Sequence, residues 1–254
     1  MNTEHFAYAF RCAGMADIGK RRSSNQDRVI PAPELGFFGV SDGMGGLAYG
    51  EIAAEYVAEA MPIMVKAAAD ELKSSPDADA ASAKLKAAVS TVSDCLYENQ
   101  NSDGHIRCGA TLASVWLIGD QAVFSWLGDS RGYVLPRYKK NLRQITKDMN
   151  VAALLVENGD LTKEEAKDHP TSSQLTAFVG MPAPAETATA VTGLSRGDRI
   201  LLCSDGLYGM VSERDIVRIM RSSRSPETVC RRLVDAANAA GGRDNISAVY
   251  ILIK

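Results

Sequence analysis

The order of helical and extended segments constrains the fold of this chain more than any other feature of its sequence. The chain has 254 residues, which is long enough to bury one large core, and we expect one domain over residues 1–254. Runs typical of strands come in two groups, and each group is accompanied by a pair of helical segments rather than by one helix after every strand. This order excludes a doubly wound βαβ sheet and predicts two packed sheets flanked by helices.

The individual elements follow from apolar periodicity. The predicted strands are residues 6–13, the run from Gly36 that ends at Asp42, 111–118, 121–127, 131–135, 199–203 and 246–253. The predicted helices are residues 47–73, with a kink or break at Pro62, and residues 80–99, 212–221 and 226–240. Gly119-Asp120 predicts a hairpin turn, so we expect residues 111–135 to form an antiparallel meander. Residues 74–79 resemble a linker, and 146–180 an irregular insertion of short helices and loop.

Composition and charge exclude several classes of protein. The net charge of -3 and the pI of about 5.7 carry no basic excess that would indicate nucleic-acid binding. The first ten residues lack the cationic and apolar segments of a signal peptide, and no run of about 18 apolar residues indicates a membrane span. We therefore expect a cytoplasmic protein without a membrane or nucleic-acid partner.

Cysteine and histidine are poorly placed for a soft metal site. The five cysteines are odd in number and form no C-x-x-C pair, which favours reduced thiols over disulfides or zinc. With three histidines in the whole chain, a site rich in imidazole ligands is not expected either.

Residues 36–46 predict a strand that delivers a carboxylate to a tight turn. The apolar residues Phe37, Phe38 and Val40 stop at Asp42, and glycines follow at positions 43, 45 and 46. Glycine permits positive φ and lets a ligand approach the main chain closely. The alternative is an ordinary strand-to-helix turn that happens to contain an aspartate.

The same arrangement recurs along the chain. Apolar strands end on, or begin after, an aspartate beside glycine or another small residue at Asp42, Asp129, Asp205 and Asp244. If these strand ends meet at one edge, the carboxylates repel one another unless cations neutralise them. Oxygen ligands without His or Cys favour Mg²⁺ or Mn²⁺. A single Asp beside Gly is most often only a turn, so the hypothesis depends on the recurrence.

Six short motifs, in this order, carry a resemblance to a known family. They are Arg22-x-x-x-Gln26-Asp27, Asp42-Gly-Met-Gly-Gly46, Cys108-Gly-Ala-Thr111, Gly128-Asp-Ser-Arg131, Ser204-Asp-Gly-Leu207 and Gly242-Arg-Asp-Asn245. Together they resemble the bacterial branch of the metal-dependent protein phosphatases (PPM, the type 2C Ser/Thr phosphatases), over about residues 14–252. The resemblance implies an α+β fold, a four-layer αββα sandwich of two mainly antiparallel sheets between helix pairs, with metals at one sheet edge.

The resemblance also implies a role for each metal-site residue. Asp42 would bridge two metal ions, Mn²⁺ or Mg²⁺, and Gly43 would supply a backbone carbonyl ligand. Asp205 and Asp244 would complete the first metal site. Asp129 would hold a third ion together with Asp205.

By the same resemblance, Arg22, Asp27 and Asp42 are the catalytic residues. Arg22 would bind the phosphate, and its planar guanidinium suits two-point contact with a phosphate dianion. Gln26 and Asp27 would position water. Lys20 and Arg21 are interpreted as solvated charges.

The implied activity is hydrolysis of phosphoserine and phosphothreonine in proteins by a metal-activated water. The expected partners are phosphorylated proteins and a bacterial Ser/Thr kinase whose action the enzyme reverses, and we expect a monomer. The alternative is a regulatory binding module that keeps this fold without catalysis.

Some positions depart from the family pattern. Met44 stands where eukaryotic relatives carry a histidine, and because methionine cannot donate a proton, water is the expected acid for the leaving group. Thr146-Lys-Asp-Met-Asn150 replaces Thr-x-Asp-His-Ser. Residues 148–180 would form a flap over the site, with His169 as a flap residue and not a catalyst.

One motif also matches a rival enzyme class. Gly128-Asp-Ser-Arg-Gly132 matches the G-x-S-x-G nucleophile elbow of serine hydrolases, with Asp160 or Asp168 and His169 as imaginable partners. That motif needs a helix after the serine. Tyr133 to Pro136 predict a strand instead, which disfavours this reading.

Overall fold

Two antiparallel sheets lie face to face between two layers of helices in the computed structural model, which describes residues 6–72, 77–100, 108–167, 169–182 and 186–254. The strands are β1 (Phe10–Asp17), β2 (Asp27–Ala32), β3 (Phe37–Met44), β4 (Gly109–Ala110), β5 (Leu112–Ile118), β6 (Gln121–Leu127), β7 (Arg131–Leu135), β8 (Arg143–Gln144), β9 (Ala188–Gly193), β10 (Arg199–Cys203) and β11 (Ile246–Ile253). The helices are α1 (Gly46–Leu72), α2 (Ala78–Gln100), α3 (Val151–Asn158), α4 (Lys163–Lys167), α5 (Asp205–Tyr208), α6 (Glu213–Arg221) and α7 (Pro226–Ala239).

The strand order divides the chain between two sheets. One sheet has the order β1-β11-β10-β7-β8, and the other has the order β2-β3-β5-β6-β9, with β4 paired to the end of β3. Every strand pair in the described part of the chain is antiparallel. The predicted α+β class with two mainly antiparallel sheets flanked by helices is confirmed.

The side chains of β11 show why four layers form. All eight residues of β11 are buried. Ala248 and Tyr250 pack into the core beneath α6 and α7, whereas Val249 and Ile251 pack into the core between the sheets. A strand that is apolar on both faces must be covered on both, so its sheet lies between the other sheet and the helices. A third core lies under α1 and α2.

The predicted meander over residues 111–135 is wrong in its last strand. β5 and β6 form the predicted hairpin, but β7 pairs with β10 in the other sheet. The chain crosses between sheets at Gly128, whose φ is +102°, and a Cβ there would lie 2.7 Å from Cγ2 of Thr111. A glycine is therefore required where the chain leaves β6.

Prediction from the sequence also misplaced the first strand and missed two edge strands. The first strand is Phe10–Asp17 and not residues 6–13, because Phe6 forms only an isolated bridge with Gly119 while its ring packs against Tyr8 and Phe10. β2 and β9 were not predicted. Both are edge strands with one paired side, and β2 contains Pro31, a residue that strands accept mainly at edges.

The helices follow the predictions closely, with one correction. A kink or break was predicted at Pro62, and since α1 continues through this residue, a break is wrong. Burial of Val57, Met61 and Val65 against the sheet offsets the backbone hydrogen bond that proline removes. α2, α6 and α7 are confirmed, while the short α5 was not predicted. Residues 74–76 of the predicted linker lie outside the described residues, and residues 78 and 79 belong to α2.

The insertion contains two short helices, as expected. Asn150 caps α3 by accepting a hydrogen bond from Ala153 N at 2.9 Å, and Gly159 ends the helix with a φ of 83°. Within the described ranges, no helix is both long and apolar enough to span a bilayer.

A matched pair of leucines tests the inter-sheet core. Leu202 is fully buried between the sheets, whereas Leu154 on α3 is 49% exposed. We expect Leu202→Ala to lower the free energy of unfolding by about 2–5 kcal/mol, because it leaves a cavity between two sheets. Leu154→Ala should change it by less than about 0.5 kcal/mol. Urea denaturation of both variants measures the difference, and equal effects would contradict this placement of the core.

Candidate active site

A cleft of about 480 Å³ lies where strands of the two sheets end. Asp42 lies near the end of β3, Asp129 follows β6, Asp205 follows β10 and Asp244 precedes β11. All four carboxylates line the cleft, together with Arg22, Gln26, Gly43, Met44, Thr111, Ser173, Leu175 and Asn245. The structure thus brings together residues that are far apart in the sequence.

Asp42 and Asp205 form the centre of this cleft. Burial, followed by the charge of Asp244, raises the pKa of Asp205 to about 6. Burial, followed by the charge of Asp27, raises the pKa of Asp42 well above its ordinary value. Both carboxyl groups are therefore costly to ionise beside the other carboxylates of the cleft.

Asp244 is engaged by the residue that was expected to bind phosphate. Arg22 donates from Nη2 to Oδ2 of Asp244 at 2.7 Å, and the backbone N–H of Asn245 donates to its Oδ1 at 2.8 Å. The Arg22 side chain is 50% exposed. With the Asp244 carboxylate turned to Arg22, the described residues contain no group of three His, Cys, Asp or Glu side chains arranged to hold one metal ion.

Asp129 is held from the insertion side of the cleft. It is buried, and Asn150 Nδ2 lies 3.4 Å from its Oδ2. Tyr208 donates to its backbone oxygen at 3.0 Å. Burial, followed by the charge of Asp205, raises the pKa of Asp129 to about 7. Asn150 therefore both caps α3 and orients a carboxylate, a role that its sequence position did not indicate.

Asp27 lies beneath the cleft and does not line it. It faces Asp42 in the β2–β3 register and is 1% exposed. Ser204 donates from Oγ to Asp27 Oδ2 at 2.6 Å. Burial is the main cause that raises the pKa of Asp27 to about 7. Its neighbour Gln26 does line the cleft.

Gly43 is needed for close approach and not for an unusual backbone angle. A Cβ at this position would lie 1.9 Å from the carbonyl oxygen of Gly50 in α1. Gly45 has a φ of 128°, whereas Gly43 has no positive φ. The expectation that the glycines permit positive φ therefore holds for Gly45 and is wrong for Gly43.

The donor set fits hard divalent cations. Carboxylate and backbone oxygens line the cleft without a histidine or cysteine. Asp27 Oδ1 and Asp205 Oδ1 are buried and lack a hydrogen-bond partner among the described residues. Such oxygens and this density of negative charge are what Mg²⁺ and Mn²⁺ require of a site.

Other residues considered from the sequence as catalysts supply no metal ligand or nucleophile in this cleft. Ser130 is 1% exposed, pairs with Thr111 Oγ1 at 2.7 Å and precedes a strand, so the serine-nucleophile alternative is wrong. His169 does not line the cleft, and its Nδ1 pairs with Thr171 Oγ1 at 2.8 Å. Asp168 lies outside the described residues. Met44, 36% exposed, lines the cleft with an apolar side chain.

Sequence reasoning assigned no role to the asparagine that joins two loops of the site. Asn245 Oδ1 accepts from Gln26 N, and its Nδ2 donates to the carbonyl oxygens of Ile18 and Ser24, each at 2.9 Å. These bonds hold the loop with Arg22 and Gln26 against the loop with Asp244. Its place in the motif Gly242-Arg-Asp-Asn245 was the only signal.

Comparison with known proteins agrees with this geometry. A family model described as Protein phosphatase 2C matches residues 20–239. The serine/threonine phosphatase stp of Listeria monocytogenes is 31% identical over 214 residues, which are 84% of this chain and 82% of that protein. The crystal structure of the Mycobacterium tuberculosis serine/threonine phosphatase PstP/Ppp is 31% identical with a TM-score of 0.84, covering 96% of this chain and 99% of that chain.

A further solved structure is that of the catalytic domain of the serine/threonine protein phosphatase PstP in complex with 2 manganese ions. It is 30% identical with a TM-score of 0.81 and covers 96% of this chain and 98% of that chain. The match of the family model over most of the sequence, together with these relatives, confirms the resemblance, and the chain belongs to the protein phosphatase 2C family.

Proposed function

We propose that this protein hydrolyses phosphoserine and phosphothreonine in phosphoproteins with Mn²⁺ or Mg²⁺ as cofactor. The observation that carries the proposal is the convergence of Asp42, Asp129, Asp205 and Asp244 from both sheets into one cleft. The manganese complex of the related PstP catalytic domain supports the choice of metal.

In this proposal Asp42, the backbone carbonyl of Gly43, Asp205 and Asp244 would hold two ions, and Asp129 with Asp205 would hold a third. When bound, the ions would activate water and offset negative charge on the phosphoryl group. Asp244 must then exchange its bond with Arg22 for a metal.

Residues of the chain supply binding and orientation. The half-exposed Arg22 guanidinium, released from Asp244, binds the phosphate dianion at the rim. Gln26 and the buried Asp27 position water, and the unpartnered Asp27 Oδ1 is the atom free to accept a hydrogen bond or proton. Because Met44 cannot donate a proton, we assign protonation of the leaving oxygen to water.

We further propose the biological setting that the family suggests. The protein would be a cytoplasmic monomer formed by a single domain over residues 1–254, and it would reverse the action of a bacterial Ser/Thr kinase. Residues 148–180 would act as a flap over the cleft, which the lining residues Ser173 and Leu175 support. The binding module without catalysis is disfavoured because every carboxylate of the predicted metal site is retained.

Removal of a ligand carboxylate tests the metal site. We expect Asp205→Asn to lower the rate of hydrolysis of a phosphothreonine peptide with Mn²⁺ by at least about 100-fold, because it removes an anionic ligand. Asp42→Asn and Asp244→Asn should lower this rate to a similar extent. Asp235→Asn, on the exposed face of α7, is the matched control. Full activity in any of the three site variants would contradict the assignment, and an inactive wild type would favour the binding module.

The raised pKa values predict how stability without metal depends on pH. Folded Asp27 and Asp129 keep protons up to about pH 7 and Asp205 up to about pH 6, whereas the unfolded chain releases them near pH 4. In EDTA these groups therefore stabilise the protein most below about pH 4 and lose this contribution as pH rises to about 7.

Metal should reverse that loss. At pH 7.5, Mn²⁺ at about 100 times its dissociation constant should raise the melting temperature by about 5–10 °C. Thermal denaturation at pH 5 and 7.5, with EDTA or Mn²⁺, measures both effects. Asp205→Asn should flatten the pH dependence in EDTA, and a wild-type melting temperature that does not respond to Mn²⁺ would refute the proposed site.

Arg22 and Arg21 form a second matched pair. Arg22→Ala should lower kcat/KM for the phosphopeptide by about 10- to 100-fold, since a hydrogen bond to a charged group is worth about 1.5–3 kcal/mol. Arg21→Ala removes an exposed charge of the same loop and should change kcat/KM by less than twofold. Steady-state kinetics checks both, and equal losses would show that the loop acts only through its overall charge.

A further inference from the structure

Arg28, the second residue of β2, makes four charge-assisted contacts beside the site. Its Nη1 donates to the carbonyl oxygens of Asn25 and Asp27 at 2.8 and 3.0 Å. Its Nη2 donates to Glu51 Oε1 at 2.8 Å, and its Nε donates to Glu55 Oε2 at 2.7 Å. Arg28 belongs to none of the motifs that carry the family resemblance, and it does not line the cleft.

The two carbonyls that accept from Arg28 belong to the residues on either side of Gln26. The oxygen of Gln26 accepts from Gly43 N at 3.1 Å, and its N–H donates to Asn245 at 2.9 Å. The backbone of Gln26 is thus fixed from β3 and from the loop of Asp244. Arg28 fixes the same segment from a third direction.

The other half of the guanidinium holds α1. Glu51 and Glu55 are one turn apart on α1, and as like charges they would repel without a cation between them. The preceding Gly50 is in close contact with the site, since a Cβ there would lie 2.8 Å from the Gly43 carbonyl oxygen and 2.6 Å from Gln26 Nε2. The position of α1 therefore decides where the Gly43 carbonyl and the Gln26 amide lie.

We propose that Arg28 is a positioning residue that clamps α1 to residues 25–27 and thereby fixes the Gly43 carbonyl and the Gln26 side chain in the cleft. This inference rests on the proposed function of the site. A fully exposed ion pair would contribute little to stability. The Arg28 side chain, however, is only 22% exposed, and its planar guanidinium contacts two carbonyls and two carboxylates at once. Lysine cannot reproduce these four contacts from a single ammonium group.

The test compares Arg28→Met and Arg28→Lys with Arg218→Met. Arg218 forms an ion pair with Asp215 on α6 at 3.0 Å and is 76% exposed, so its loss controls for the removal of a paired arginine. We expect Arg28→Met to lower kcat for para-nitrophenyl phosphate by about tenfold or more, with KM changed less than twofold. It should also raise the Mn²⁺ concentration that gives half of the thermal stabilisation by severalfold. Arg28→Lys should recover only part of each loss, and Arg218→Met should match the wild type.

The double variant Glu51→Gln, Glu55→Gln keeps Arg28 and tests the clamp from the helix side. It should shift kcat and the Mn²⁺ midpoint in the same direction as Arg28→Met, and it also serves if Arg28→Met does not fold. If both Arg28→Met and the double variant lower the melting temperature in EDTA but keep the wild-type kcat and Mn²⁺ midpoint, Arg28 is purely structural and the inference fails. An inactive wild type would instead refute the proposed function.

Discussion

Mutual repulsion among buried carboxylates is the constraint on which the rest of this structure depends. The pKa of Asp42 rises well above its ordinary value, that of Asp205 rises to about 6, and those of Asp27 and Asp129 rise to about 7, because each carboxylate is removed from water beside others. Such a cluster opposes folding unless the surrounding scaffold holds it rigidly or cations neutralise it. The Arg22 ion pair with Asp244 is a partial neutralisation supplied by the chain itself.

The scaffold is rigid because its central strands are apolar on both faces. β11 and β5 each contribute side chains to two different cores, so neither sheet can move without opening a core. The loops at the strand ends are therefore anchored to a rigid framework. Asn245 then ties two of these loops together, and Asn150 connects the insertion to Asp129. The Asn150 side chain contacts the Asp129 carboxylate directly, whereas the Asn245 side chain fixes the loop that carries Asp244.

Prediction from the sequence succeeded where local patterns have one physical meaning. The continuous apolar run of β11, the three-and-four spacing of α2 and the hairpin at Gly119-Asp120 each specify one kind of element. It failed where pairing partners decide the outcome. In the sequence β7 resembles the third strand of a meander, but it pairs with β10 in the other sheet. The edge strands β2 and β9 have short apolar stretches that did not predict a strand. Pro62 would break an isolated helix, whereas the packed face of α1 keeps it continuous.

For the site, the sequence by itself determined the residue types and their order: aspartates at strand ends, glycines beside them and an arginine before Gln26. These follow from chemistry that requires hard oxygen ligands and close backbone approach. Only the tertiary structure decided that Asp27 lies beneath the cleft and that Arg22 pairs with Asp244. It also decided that Arg28, Asn150 and Asn245 join α1, the insertion and the loops of the site. Those facts depend on contacts between segments as much as 222 positions apart in the sequence, and no local pattern encodes which of many polar side chains will meet when the sheets pack.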